Sequence, residues 1–431
     1  MFSFGHRRAT RRHDVLSPVR PLRSIVALGV VAVLVAACGS DPATIAPDSS
    51  SPRPDDTQVT EPPVISSFTA DPTRIQEGET TLLSWVVSDP DATLKITPLR
   101  DAVEGTAAEW VNAATNLEGL ESECGNLSYV GTLPDGDTVI AGVALQGLWA
   151  LQEGSDEWAP LGTQGATIRN RTTSLVQDPA NPGTFWESGA YSGGGVYRTT
   201  DFGASFQQLG DVASVDLVSI DFTDPLRKTL VAGIHEQPVL YRSSDGGASW
   251  VIISAGLPPA AGIVDAPLVI DATTYLVGTN NGDESGIFRT ADAGFTWTRV
   301  ADFGAVGRPV VIEPAGAIYW LLEDNGGIAR STDDGETWTV LSRGPSTGDS
   351  ITLQLLPDGR LVAIGGGSLI VSADQGATWQ RLGPAMPYLA KGFTYSATRN
   401  AFYAWRFDCV FAGDNSVPAD AIIRLDLSPS Q

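Results

Sequence analysis

Ser331-Thr332-Asp333-Asp334-Gly335-Glu336-Thr337-Trp338 decides how this chain is read, because the chain repeats it. The pattern Ser/Thr-x-Asp-x-Gly-x-Ser/Thr-aromatic recurs at Thr199–Phe206, Ser243–Trp250, Thr290–Trp297 and Ser372–Trp379. Its aspartates are Asp201, Asp245, Asp292, Asp333 and Asp374, so successive steps are 44, 47, 41 and 41 residues. An Asp side chain accepts hydrogen bonds from backbone N–H groups two residues on, and the Gly tolerates positive φ. Together they specify a tight turn between two strands. The closing aromatic is large and apolar, suited to packing between neighbouring units. Strand-like sequence separates the copies, and a period near forty residues is the pattern of propeller blades. The chain is therefore read as all-β.

Counting units outward from these five gives seven blades. A decayed copy, Glu153 to Trp158, marks a first blade at about 126–162, and the five boxes mark blades two to six. Trp110-Val111-Asn112-Ala113-Ala114-Thr115-Asn116-Leu117 aligns without gaps on Trp250-Val251-Ile252-Ile253-Ser254-Ala255-Gly256-Leu257, which follows a box. Trp110 thus opens a fourth strand that lacks its own first three. Phe393–Ala397, Ala401–Phe407 and Ala421–Leu427 read as three strands with no box after them. Joining the two ends makes the seventh blade and closes the ring, which removes exposed sheet edges.

The box resembles the Asp-box (bacterial neuraminidase) repeat of sialidases, sortilins, some endoglucanases and photosystem II assembly factors. The resemblance implies that each box lies on the turn between the third and fourth strands of a blade, away from the ligand face. The acidic stretch Thr332–Glu336 is accordingly read as a turn and not as a calcium site.

Ahead of the repeats, residues 1–38 read as a leader: six arginines from Arg7 to Arg23 precede the apolar run Ile25–Ala37. The run is short for a membrane span and ends in small residues, as a signal peptide does. Val35-Ala36-Ala37-Cys38 resembles a bacterial lipobox, which implies lipidation of Cys38. Gly39 follows it in place of a retention Asp, which favours the outer membrane or cell surface. Residues 39–61, rich in Ser, Pro, Asp and Thr, read as a disordered tether. Residues 62–100 look like an immunoglobulin-like β segment, a small sandwich-like element with strands at Leu82–Val87 and Leu94–Ile96. The propeller takes 101–431.

The formal net charge is −23, and without the leader 21 basic residues face 49 acidic ones. Such a field excludes nucleic acid as a partner. Outside the leader His235 is the one histidine, which excludes multi-histidine zinc sites, and no metal or cofactor is expected. Cys124 and Cys409 both fall near the ring's seam and are expected to form a disulfide in an oxidising compartment.

Ligand contacts in propellers come from the loops joining strands two and three and from those joining blades. These supply Arg169, Arg171, Tyr191, His235, Asp283, Arg308, Glu323, Asp324, Lys391 and Arg406 as the candidate ligand face. The set is polar and mixed in sign, which suits a protein or carbohydrate ligand. Sialidase chemistry needs three arginines on a carboxylate, a Tyr–Glu pair and an acidic residue. The Arg-Ile-Pro signature of that family is absent around residues 120–135. Arg198, Arg242, Arg289 and Arg330 each stand three residues before a box Asp, so they spread around the rim. The leading reading is a monomeric, lipid-anchored binding or assembly scaffold of the cell envelope, without catalysis. A sialidase-like or other glycoside hydrolase is the alternative.

Overall fold

Each Asp turn joins the third and fourth strands of a four-stranded antiparallel sheet. In the computed structural model the described residues are the segments Val30–Val35, Ile65–Asp71, Leu82–Val87 and Thr93–Pro98, and residues 109–427 save short breaks. The breaks are 123–126, 134–137, 152–153, 163–167, 313–315, 324–326, 343–350 and 408–414. Cys38, Cys124, Cys409, Asp324 and the tether therefore lie outside the described residues.

The chain divides into two units, Met1–Arg100 and Asp101–Gln431. The first holds two two-stranded sheets. Ile65–Asp71 pairs with Leu82–Val87, and Val30–Val35 pairs with Thr93–Pro98. The last pairing involves the apolar run read as a leader. Its Val-rich sequence fits a pleated strand, a conformation that the period of a signal segment does not distinguish.

The second unit is a seven-bladed propeller of four-stranded sheets. In blade 2 the order is Arg171–Gln177, Phe185–Ala190, Val196–Thr199 and Gln207–Gln208. In blade 3 it is Val215–Ile220, Leu230–Ile234, Leu240–Ser243 and Val251–Ile252. The second strands Phe185–Ala190, Leu230–Ile234, Tyr275–Asn280 and Ala317–Leu322 are buried at every residue, while Gln207–Gln208 and Val251–Ile252 are exposed. A strand covered on both faces by neighbouring blades reads as a continuous apolar run, and the outermost strand does not. The core consequently lies between blades. Val176, Trp186 and Val196 of blade 2 pack on Val215, Val218 and Leu230 of blade 3.

Blade 7 is composite. Gly392–Ser396, Ala401–Trp405 and Ile422–Asp426 are completed by Val111–Asn112, with Ile423 opposite Asn112 and Arg424 opposite Val111. Ala113 N–H donates to the Ile422 carbonyl at 2.9 Å, and Gly119 N–H to that of Val417 at 2.9 Å. The Trp110 indole donates to the Pro384 carbonyl of blade 6 at 3.2 Å. Trp250 and Trp297 make the same reach backward, to Leu209 at 3.0 Å and Ile253 at 2.9 Å.

The turns are built alike. In blade 2, Asp201 accepts from the Ser205 N–H at 2.9 Å and the Ser205 hydroxyl at 2.6 Å. Thr199 Oγ1 accepts from the Gly203 N–H at 2.9 Å. The Asp therefore reaches the N–H four residues on, not two, because the intervening pair turns left-handed. Phe202 and Gly203 have φ of 58° and 84°, the type I′ requirement, and Asp334–Gly335 repeats it at 54° and 78°. The Ser205 hydroxyl and N–H hold the Asp201 carboxyl down at about 2.

On the Asp-turn face one ion pair joins blades 2 and 3. Arg227 donates to both oxygens of Asp178 at 3.0 and 2.9 Å, and the two side chains are 10% and 2% exposed. Burial alone would raise the Asp178 carboxyl; the Arg227 guanidinium and the Asn181 amide hold it down at about 2. Arg227→Ala leaves that carboxylate uncompensated and is expected to cost about 3–5 kcal/mol in urea unfolding. The double replacement Asp178→Leu/Arg227→Met recovers most of the loss. Equal stabilities for the single and double variants would contradict a buried, mutually dependent pair.

Candidate functional site at the loop-face mouth

Antiparallel order places the loops between second and third strands, together with those between blades, on the face opposite the Asp turns. There the sequence brings four polar side chains of blades 2 and 3 together. Arg171 opens the first strand of blade 2, and Tyr191 follows its second strand. Asp216 lies in the first strand of blade 3, and His235 follows its second strand. Backbone pairing sets the histidine, whose N–H donates to the Ser214 carbonyl at 2.8 Å.

His235 Nδ1 lies 2.8 and 2.9 Å from the two Asp216 carboxylate oxygens. Its Nε2 lies 2.8 Å from the Tyr191 hydroxyl and 3.4 Å from Arg171 Nη2. Arginine is a donor only, so the proton assignment that satisfies every contact has Nδ1–H donating to Asp216 and Nε2 accepting. The Glu236 carboxylate stands 3.7 Å from Nε2. The Arg171 guanidinium sits over the Tyr191 ring, 4.7 Å from its centroid, and 5.9 Å from that of Phe407 in blade 7. Lys391 approaches the same Phe407 ring at 5.2 Å. Tyr191 is 48% exposed in a left-handed backbone, φ 63°, so its ring is offered to solvent while its hydroxyl is held. A fixed aromatic edge, a guanidinium and an Asp-oriented imidazole can bind a polar ligand or pass a proton to and from the Tyr191 hydroxyl.

Beneath the mouth a carboxyl is buried. Glu187, fully buried, accepts from Thr172 Oγ1 at 2.8 Å and from Asn170 Nδ2 at 2.9 Å. Burial pushes its carboxyl up to about 8 against the pull of those two hydrogen bonds.

The remaining candidates go elsewhere. Arg308 donates to the Leu175 carbonyl at 3.1 Å inside the axial channel. Arg406 pairs with Asp420 and lies 5.3 Å over Tyr388. Glu323 accepts from the Asn281 N–H, while Arg169 and Asp283 are exposed. Arg171, Arg308 and Arg406 thus have separate partners and form no common clamp. Arg242 and Arg289 reach into the next blade, to the Tyr275 hydroxyl at 2.8 Å and the Asp334 carbonyl at 3.1 Å. Among the described residues no group of His, Cys, Asp and Glu could hold a metal ion. Asp216, Glu187 and Phe407 stand in no motif of the sequence. The signal for the first two was a single carboxylate inside an otherwise apolar strand.

Fold and mouth define a strand-closed, single seven-bladed propeller with an aromatic and cationic loop face. No protein-family model matches the chain. It is 37% identical over 83 residues to a xyloglucanase of Paenibacillus sp, a stretch covering 18% of this chain and 8% of that protein. Among solved structures it is similar to the GH74 enzyme of Niastella koreensis, with a TM-score of 0.52 and 15% identity, over 71% of this chain and 53% of that one. It is also similar to the extracellular domain of the putative one component system BT4673 of B. thetaiotaomicron. There the TM-score is 0.51 at 11% identity, over 75% of this chain and 41% of that one. The chain spans about half of the first structure's length and less of the second, and these likenesses are of fold.

Glu187 gives the site a pH signature. Its folded value lies above the ordinary 4.5, so between about 4.5 and 8 the folded chain holds a proton that the unfolded chain has lost. That contribution is complete below 4.5 and is lost as pH rises through the folded value, with a slope approaching about 1.4 kcal/mol per pH unit. Glu187→Gln removes the slope, and denaturant titrations of both proteins from pH 5 to 8 are expected to converge on, then favour, the variant. Parallel pH profiles would contradict a protonated Glu187.

Proposed function

We propose that this protein is an extracytoplasmic binding or assembly propeller, tethered through a lipidated Cys38, that engages a protein or glycan ligand at the loop-face mouth without catalysis. The observation that carries the reading is Tyr191. Its ring is presented to solvent by a left-handed loop and locked from behind by His235, Asp216 and Arg171. A rigid aromatic anchor beside a guanidinium is the kind of surface on which binding energy concentrates, since little freedom is lost on contact. Separate partners for Arg171, Arg308 and Arg406 argue against the three-arginine carboxylate clamp of a sialidase. The extracellular domain of BT4673 and the GH74 enzyme support a place outside the cytoplasm by analogy of fold.

A second reading has one observation in its favour. The Asp216–His235–Tyr191 hydrogen-bond chain is a general-base arrangement behind the Tyr191 hydroxyl, and the local identity to a xyloglucanase points to a glycan. Binding to arrayed glycans and to envelope proteins, measured with and without turnover assays on xyloglucan and sialosides, separates the two. The binding reading predicts a retained ligand, no released sugar, and affinity weakened at least about tenfold in Arg171→Ala and Tyr191→Ala. Sugar release that disappears in both Tyr191→Phe and His235→Asn would replace it with the hydrolase.

A further inference from the structure

We propose that the axial channel contains a second binding site, for a small apolar monocarboxylate, formed by Arg308 and the aliphatic walls of the innermost strands. The site is separate from the mouth and stands whether or not the mouth reading holds.

The innermost strand of blade 5, Ala305–Ile312, slips between Val306 and Val310. Gly307 occupies the slip at φ 67°, and a Cβ there would come within 2.0 Å of the Ile351 carbonyl oxygen. The Trp320 indole donates to the Gly307 carbonyl at 2.9 Å and fixes the bulge. A bulge re-aims the side chain it carries. Here it sends Arg308 across the axis to blade 2, where Nη1 donates to the Leu175 carbonyl. Blades 5 and 2 face each other across a seven-membered ring, so the side chain bridges the channel.

A guanidinium has five N–H donors. Among the described residues Arg308 has that one hydrogen bond and no carboxylate partner, and it is exposed, so its other donors face the water of the channel. Arg308 also lines a cavity of about 280 Å³ whose walls mix the aliphatic Val176, Leu217, Leu268 and Val311 with the polar Ser219 and Thr223. An apolar cavity of about 150 Å³ accepts benzene, so this one has room for a ring and a short acid arm. Carboxylates pair with guanidinium in a bidentate fork, and partial removal from water strengthens the pairing. Asp334, left-handed at φ 54° in the Asp turn of blade 5, lines the same cavity. Its charge opposes a second anionic group at that end. The chamber therefore selects one negative charge beside Arg308 and an apolar tail beyond it.

Isothermal titration of the full chain with phenylacetate, its neutral counterpart 2-phenylethanol, and acetate tests the site. Phenylacetate is expected to bind, and 2-phenylethanol and acetate to bind at least about tenfold more weakly. Arg308→Gln is expected to weaken phenylacetate at least tenfold, and Val311→Phe, which fills the chamber, to do the same while Arg308 remains. Tyr191→Ala at the mouth leaves the affinity unchanged. Absence of phenylacetate binding at millimolar concentration, equal affinity for the alcohol, or unaltered binding in a folded Arg308→Gln protein would each overturn the proposal. Should that variant not fold, unaltered binding in Val311→Phe overturns it alone.

Discussion

Two residues near the start of the second unit, Val111 and Asn112, complete a sheet whose other strands lie at its end. Their pairing with Arg424 and Ile423 converts six sheets and a remnant into a ring. Without it the strand Ile422–Asp426 would be an open edge, and Trp158, whose indole donates to the Ala113 carbonyl at 2.9 Å, would lose its partner. The core at this seam is continuous. Ala113, Ala114 and Leu117 pack with Leu127 and Val130 of blade 1 and with Tyr403 and Ile422 of blade 7. Everything on the axis inherits its position from this closure. Arg308 meets Leu175, and Arg171 meets Phe407, because the blades are held on one circle.

The Asp turns serve that circle from the outside. Each satisfies its own backbone donors and places an aromatic against the blade before it or against its own glycine, as the Trp338 indole does with the Gly335 carbonyl at 3.1 Å. Phe202, Gly246 and Ala293 each donate an N–H to the loop between the first and second strands, at 2.8 to 2.9 Å. Turn and loop are thereby fastened on one face. The opposite face carries loops of differing length and chemistry, which is where a propeller has freedom to acquire a ligand.

Much of the architecture was legible because repetition amplifies local signals. A single Asp-x-Gly is a weak cue, but five in phase fix the strand count, and the match of Trp110–Leu117 to Trp250–Leu257 locates the closing strand. Turn detail was less legible. The Asp bonds four residues on, since two successive left-handed residues fold the chain back more sharply than an Asx turn does. The mouth was half legible. Tyr191, His235 and Arg171 read as loop residues, but nothing in spacing says that residues 44 positions apart share a proton donor and acceptor. Asp216 and Glu187 lie within strands, where alternation assigns a face without naming the partner that the adjacent strand of the same blade supplies. Arg308 reads as a loop residue from sequence but lies in the strand Ala305–Ile312, because a bulge has no sequence period. Its reach to Leu175 spans 133 residues, a separation that only ring closure makes short.

Oxidative cross-linking of Val111→Cys/Arg424→Cys tests the closure most directly. Opposed residues of antiparallel strands lie within the range that a disulfide spans. Peptide mapping after mild oxidation should recover a 111–424 linked pair, with little linkage in the register-shifted control Asn112→Cys/Arg424→Cys. Full alkylation of both engineered thiols, or equal linkage in the control, would contradict a ring closed by its first strand.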